Sequence, residues 1–205
     1  MRRSFARFAL LVALVVPSVA GATPVPLGNA DFDADLSGWF ASGTAAHDPL
    51  DVDGSASSGS VLLTGVSALQ QCVAVGPGTA RAGVWTFIPS GQSEIGLVDV
   101  NLTFFAQAGC AGQPFNTQLF PPLQPVPDAW ALLEREREVP AGATSAIFRI
   151  GLNNTSGPFV AHFDTASLAV VPEPGTALLL AAGLAMGIAR RQRGTTSGAP
   201  RARRP

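Results

Sequence analysis

Lysine and tyrosine are absent from this 205-residue chain, and histidine, cysteine and methionine occur only twice each. With His47 and His162 as the only imidazoles, general acid–base chemistry has few candidates. No Gly-x-Ser-x-Gly, no His-Glu-x-x-His and no glycine-rich phosphate loop after a strand occurs in the sequence. These absences exclude the commonest hydrolase, zinc-peptidase and nucleotide-binding signatures. A glycosidase-type carboxylate pair stays open, because acidic residues abound and sequence spacing says nothing about their separation in space. The expectation is a protein that is not an enzyme.

Charge is scarce and unevenly placed. The formal net charge is -1. Between Thr23 and Pro172, however, thirteen acidic residues face only Arg81, Arg135, Arg137 and Arg149, so the middle of the chain carries about −9. Such a body repels nucleic acid. The positive charge sits at the two ends, in Arg2, Arg3 and Arg7 and in six arginines from Arg190 onward.

Residues 1–22 read as a secretory signal peptide. Three arginines precede an apolar run over 8–16 that is too short to span a bilayer, and Ala20-Gly21-Ala22 supplies the small residues a signal peptidase needs. Cleavage after Ala22 leaves Thr23 as the new terminus. In an exported chain, two cysteines most simply form one bridge, Cys72 to Cys110; the alternative is two buried thiols.

The C-terminal region reads VVPEPGTALLLAAGLAMGIARRQRG. Residues 175–189 hold no charge and would cover ~22 Å as a helix, short of a ~30 Å hydrocarbon core, so length alone leaves a buried helix open. Apolarity on every face, small Gly and Ala positions and the arginines that follow favour a transmembrane helix with its C-terminal side inward. Pro172 and Pro174 break any helix ahead of it.

The order Val171-Pro172-Glu173-Pro174, then the apolar run, then Arg190-Arg191 resembles the PEP-CTERM sorting signal of exported bacterial proteins. The resemblance covers 172–194. It implies retention in the inner membrane, recognition by an exosortase-type processing protease with cutting near Pro-Glu-Pro, and delivery to the cell surface or extracellular matrix. The basic tail 195–205, expected to be disordered, extends past the point where such signals usually stop.

Residues 23–171 read as one turn-rich, all-β domain. Short apolar segments recur at 61–63, 69–75, 81–88, 95–105, 130–139, 145–152 and 159–171, separated by Gly, Pro, Asn and Asp. In SAIFRIGL, Ala146, Phe148, Ile150 and Leu152 share one face; in VDVNLTFF, Val98, Val100, Leu102 and Phe104 alternate with Asp99, Asn101, Thr103 and Phe105. Such strands predict an antiparallel, jelly-roll-like β-sandwich. The alternating Glu134 to Glu138 stretch reads as a solvated edge strand.

The pieces LGNADFDADLSGWFASG, SGSVLL, VPAGATSAIFRIGL and HFDTASLAVV, in that order, are similar to the galactose-binding-like β-sandwich of many carbohydrate-binding modules. That resemblance implies one structural calcium, with Asp33 and Asp164 at the matching positions; the alternative is that these aspartates are turn formers and solvated charges. It also implies contact with a saccharide such as exopolysaccharide. Trp85, Phe105 and Trp130 are the candidate stacking faces and Asp99 and Asn101 the candidate polar partners, while Trp39 reads as a core anchor. His162 and Asp164, two apart on one strand face, read as an exposed pair beside a loop. The alternative function is that of a purely structural surface protein or, less favoured, a glycan-active enzyme.

Overall fold

The computed structural model describes residues 21–92, 96–115, 121–153 and 158–172. Residues 1–20 of the expected signal peptide, the expected transmembrane segment 175–189, Glu173, Pro174, Arg190, Arg191 and the tail 195–205 lie outside them. Among the described residues no helix is long and apolar enough to cross a membrane.

Among the described residues eight strands build the fold: β1 (Thr23–Pro24), β2 (Phe40–Asp48), β3 (Ser60–Ala74), β4 (Thr79–Phe87), β5 (Leu97–Phe105), β6 (Ala131–Glu138), β7 (Ser145–Asn153) and β8 (Val160–Val171). All pairings are antiparallel, in the order β5-β7-β3-β8-β4-β6, with β2 added to β3 and β1 to β8.

The spine is β3, which pairs with β8 over Val61–Thr64 and with β7 over Ser67–Ala74, while β2 runs along its other side. Between those stretches Gly65 takes φ +67 and its N–H donates to the Phe159 carbonyl. At that bend the sheet divides into two arms, β7-β5 and β8-β4-β6. Their apolar faces meet in one core, with Val100, Leu102, Phe104, Phe148 and Ile150 from one arm against Val84, Phe163, Leu168 and Leu133 from the other. Period-two alternation is what permits this, since each strand must offer the core a continuous apolar face.

The described parts of the connection after β5, residues 106–115 and 121–130, return to β5. Val98 bridges Leu123 and Phe105 bridges Pro114, so this edge of the sheet is covered by its own loop. The loop is pinned by a Cys72–Cys110 disulfide, with sulfurs 2.06 Å apart, which carries the short 3₁₀ turn Ala108–Cys110 over β7 to β3. There the Ser145 hydroxyl accepts from the Cys110 N–H and donates to the Gln107 carbonyl.

Strand β6 is the opposite edge, and only half of its charged run is solvated. Glu134, Glu136 and Glu138 are exposed, but Arg135 and Arg137 follow the buried Leu133 in turning toward the other arm. Arg137 Nη1 donates to the Leu102 carbonyl of β5 at 3.3 Å and Arg135 Nη2 to the Pro121 carbonyl at 3.1 Å. Burial lowers the Arg137 pKa. Inward-pointing charges on an edge strand discourage pairing with another chain.

Candidate functional site

The outer face of β2, β3, β7 and β5 carries a row of polar residues. Register fixes its composition: Phe40 stands opposite Gln70, Gln70 opposite Arg149, and Arg149 opposite Asn101. Directly opposed residues share a face, and neighbouring strands lie about 4.8 Å apart, so Phe40 and Arg149 are roughly 10 Å from each other. The next row is Ser42, Ala68, Gly151 and Asp99.

Asp99 ties the two rows together. Its Oδ1 accepts from Arg149 Nη1 at 2.7 Å and its Oδ2 from Asn153 Nδ2 at 2.7 Å. The Asp99 side chain is 7% exposed and that of Arg149 31% exposed, so the guanidinium has one side buried on the carboxylate and the other open to solvent. Gly151 makes room for this pair, since a Cβ there would stand 2.3 Å from Asp99 Oδ1 and 2.4 Å from Arg149 Nη1.

The ring of Phe40 is 64% exposed on the same face. It follows Trp39, which is buried against Phe32 and Phe148 with ring centroids 5.4 and 5.9 Å apart. With Trp39 in the core, strand alternation places Phe40 outside. That signal is present in the sequence, where Trp39 reads as a core anchor.

The candidate residues are divided between the two arms. Asp99, Asn101 and Phe105 share the outer face of β5, as alternation requires, yet all three are buried, and Phe105 at 6% exposure offers no ring face for stacking. Trp85 lies on β4, opposite Leu132 and Asp164. Trp130, just before β6, packs on Phe87 with centroids 5.5 Å apart. The structure therefore does not assemble Trp85, Trp130 and Phe105 into one platform.

His162 and Asp164 are buried, not an exposed pair. The His162 ring meets Phe87 edge-on at 5.9 Å; its Nδ1 lies 3.3 Å from Ser60 Oγ and 3.8 Å from Asp48 Oδ1. Burial lowers its pKa, with the nearby Asp48 charge acting in the opposite direction. Asp164 accepts from the Val52 N–H at 2.9 Å and from the Thr165 N–H at 2.6 Å, one on each oxygen. Burial nonetheless raises its pKa against those two donors, and the charges of Asp51 and Asp31 push the same way.

These contacts also bear on how a calcium ion would be held. Each Asp164 oxygen keeps acceptor capacity beyond its N–H donor, and the acidic charges that reach it belong to Asp51 and Asp31. Asp33 is exposed. Among the described residues no group of three or more His, Cys, Asp or Glu side chains is placed to hold a metal ion.

Comparison with known proteins bears on both ends of this description. No curated protein matches the chain. Among solved structures, the body is similar to the bacteriophage CBA120 tailspike protein 4 enzymatically active domain (TM-score 0.54, 14% identity, 70% of this chain) and spans about a fifth, 21%, of it. It is similar to the tandem CBM22-1–CBM22-2 domain of Paenibacillus barcinonensis Xyn10C (TM-score 0.53, 15% identity, 76% of this chain and 49% of that one). It is also similar to a family 16 carbohydrate-binding module (TM-score 0.51, 16% identity, 69% of this chain and 97% of that one). Identities this low establish a shared fold only. Residues 170–193 match the PEP-CTERM protein-sorting motif. The chain thus holds an antiparallel β-sandwich, similar in fold to those modules, and carries a PEP-CTERM sorting motif, the mark of an exported, membrane-processed protein.

Proposed function

We propose that this is a non-enzymatic protein of the cell surface or extracellular matrix, associated with exopolysaccharide through the Phe40–Gln70–Arg149 row. The observation that carries the reading is the exposed Phe40 ring beside a half-buried amide and a guanidinium held by Asp99. A pyranose presents apolar C–H groups on its face and hydroxyls around its rim. A flat apolar ring with hydrogen-bonding groups about 5–10 Å away is complementary to it. A non-catalytic role is supported by where the imidazoles are engaged: His47 Nε2 lies 2.9 Å from the Phe32 carbonyl, and His162 Nδ1 faces Ser60 in the interior.

Burying the Phe40 ring against a sugar would contribute about 1.5 kcal/mol, so Phe40→Ala should weaken binding roughly tenfold. Affinity electrophoresis of the protein in gels containing the host's own exopolysaccharide measures this. Absence of retardation for the unaltered protein would favour the second reading, a structural surface protein without a small ligand. The engagement of both Asp99 oxygens, one by Arg149 and one by Asn153, lends that second reading its support.

In this proposal the apolar segment 175–189 anchors the chain in the inner membrane with the body outside the cytoplasm, until an exosortase-type protease cuts near Pro172–Pro174. Protease added to intact spheroplasts should digest or release the body and spare the side carrying Arg190. The reverse pattern would invert the orientation.

A single structural calcium near Asp164, with Asp33 the second carboxylate, is a separate proposal; the buried Asp164 and its acidic neighbours Asp51 and Asp31 support it. An ion that binds only the folded state stabilises by ~2.7 kcal/mol at one hundred times its dissociation constant, so the melting temperature should rise with calcium, and Asp164→Ala should abolish that rise. Identical melting curves in chelator and in millimolar calcium would leave Asp164 as the acceptor for Val52 and Thr165 alone.

A further inference from the structure

The sorting motif begins inside the folded body. Its match starts at residue 170, yet Val170 and Val171 are the last two residues of β8. No spacer separates the sandwich from the Pro-Glu-Pro triplet, which opens at Pro172, the first residue past the strand.

What holds this end of β8 differs from what holds its start. Over Val160–Phe163 the strand is flanked by β3 on one side, and β4 flanks the other side from His162 onward. The pairing with β3 ends at Val61 opposite Phe163, so from Asp164 onward that edge of β8 is open to another segment. The N-terminal segment fills that edge. Ala166 N–H donates to the Ala30 carbonyl at 2.9 Å, Val25 N–H donates to the Leu168 carbonyl at 2.8 Å, Pro24 stands opposite Ala169, and Thr23 opposite Val170. On the other side, Gly78 at φ +137 lies against the exit of the chain: a Cβ there would stand 2.3 Å from the Val171 carbonyl oxygen and 3.1 Å from Pro172 Cα.

We propose that residues 23–25 are a strap which, with the Gly78 backbone, holds Val170 and Val171 in the sheet and so withholds both residues from a processing protease. The proposal rests on the reading of 170–193 as a sorting motif for its protease half and on the strand pairing alone for its structural half. A protease binds its substrate as an extended segment, and a segment already hydrogen-bonded between two strands is unavailable until it frays. The residue expected to become the N-terminus after signal cleavage, Thr23, is therefore paired with the first residue of the C-terminal motif. The device sets where the mature C-terminus falls and keeps the last strand intact after cutting.

Two substitutions loosen the strap without touching the motif. Val25→Pro deletes the single N–H that reaches Leu168. Gly78→Ala forces the Val171–Pro172 peptide aside and places a side chain at a φ that L-residues rarely adopt. Hydrogen exchange on the full-length chain in detergent, read by mass spectrometry over residues 165–172, tests the strap directly. The unaltered protein should be protected there, and each variant should exchange at least tenfold faster over 165–172 while β5 peptides keep their rates. A wild-type 165–172 segment that exchanges like unfolded chain, or unchanged rates in both variants, would overturn the strap.

The protease half is read from the intact mass of protein processed in cells that carry the sorting machinery. The wild type should give one C-terminus at or beyond Pro172, and the variants should add ends upstream of it. A wild-type product ending before Val171 would overturn this half. A chain left uncut in those cells would overturn the motif reading, and the exchange result would still decide the strap.

Discussion

Loss of the Cys72–Cys110 bridge is expected to destabilise the body by about 4 kcal/mol. The two cysteines are 38 residues apart. In the chain-entropy model, closing a loop of that length in the unfolded ensemble costs the denatured state this much freedom. The folded state adds a specific local consequence. Cys110 anchors the turn whose N–H and carbonyl groups meet the Ser145 hydroxyl, and this turn opens the connection that covers the β5 edge. Without the bridge that covering loop is held by a few hydrogen bonds, and an edge strand with apolar neighbours becomes available for pairing with another molecule. Thermal melts of the oxidised protein and of a Cys72→Ser, Cys110→Ser double variant should differ by about 8–15 °C for a domain of this size. A difference within a degree or two would mean that the loop is held by its other contacts and that the bridge is dispensable.

Phe148→Ala should cost about 3–5 kcal/mol, the range for removing a fully buried aromatic ring. Phe148 has 0% exposure, pairs across β7 with Gln71 on one side and Leu102 on the other, and meets the Trp39 ring edge-on. Trp39 in turn packs on Phe32, so the cavity would open at the centre of an aromatic chain that joins the N-terminal loop to the sheet. Phe40→Ala makes the informative contrast. The same deletion on an exposed ring should leave denaturant stability within about 0.5 kcal/mol of the unaltered protein. Urea unfolding of the two variants side by side separates a core ring from a surface ring. Near-equal stabilities for Phe148→Ala and the unaltered protein would refute the packing described here.

How much of this was legible from the residues depended on whether a strand has one wet face. In 145–152 the alternation of Ala146, Phe148, Ile150 and Leu152 with polar or half-buried residues was plain, and all four are fully buried. Strand β2 was missed because FASGTAAHD has no apolar alternation; it lies along β3 with its side chains mostly exposed. The sequence shows 61–63 and 69–75 as two apolar segments, whereas the backbone bends at Gly65 and β3 continues through both. The β6 arginines read as solvated from the sequence, because a local sequence does not reveal that an opposing arm offers the Leu102 carbonyl.

The sequence by itself determined the properties that depend on composition and order along the chain. Export follows from the sorting motif near the end of the chain. Sorting follows from a motif whose parts stand in a fixed order at 170–193. The all-β character follows from period-two segments between turn residues, and the single bridge from an even cysteine count in an oxidising compartment. Only the tertiary structure decided what depends on register between distant strands. It divided Trp85 and Trp130 from Asp99 and Asn101, buried Phe105, and aligned Phe40, Gln70 and Arg149 in one row. It also placed Thr23 beside Val170 at the root of the sorting motif. The physical reason is that side-chain alternation is a local property of an extended backbone, whereas the partner a strand acquires is settled by which pairing buries all the apolar faces at once, and a shift of one residue would have turned each of these side chains to the opposite face.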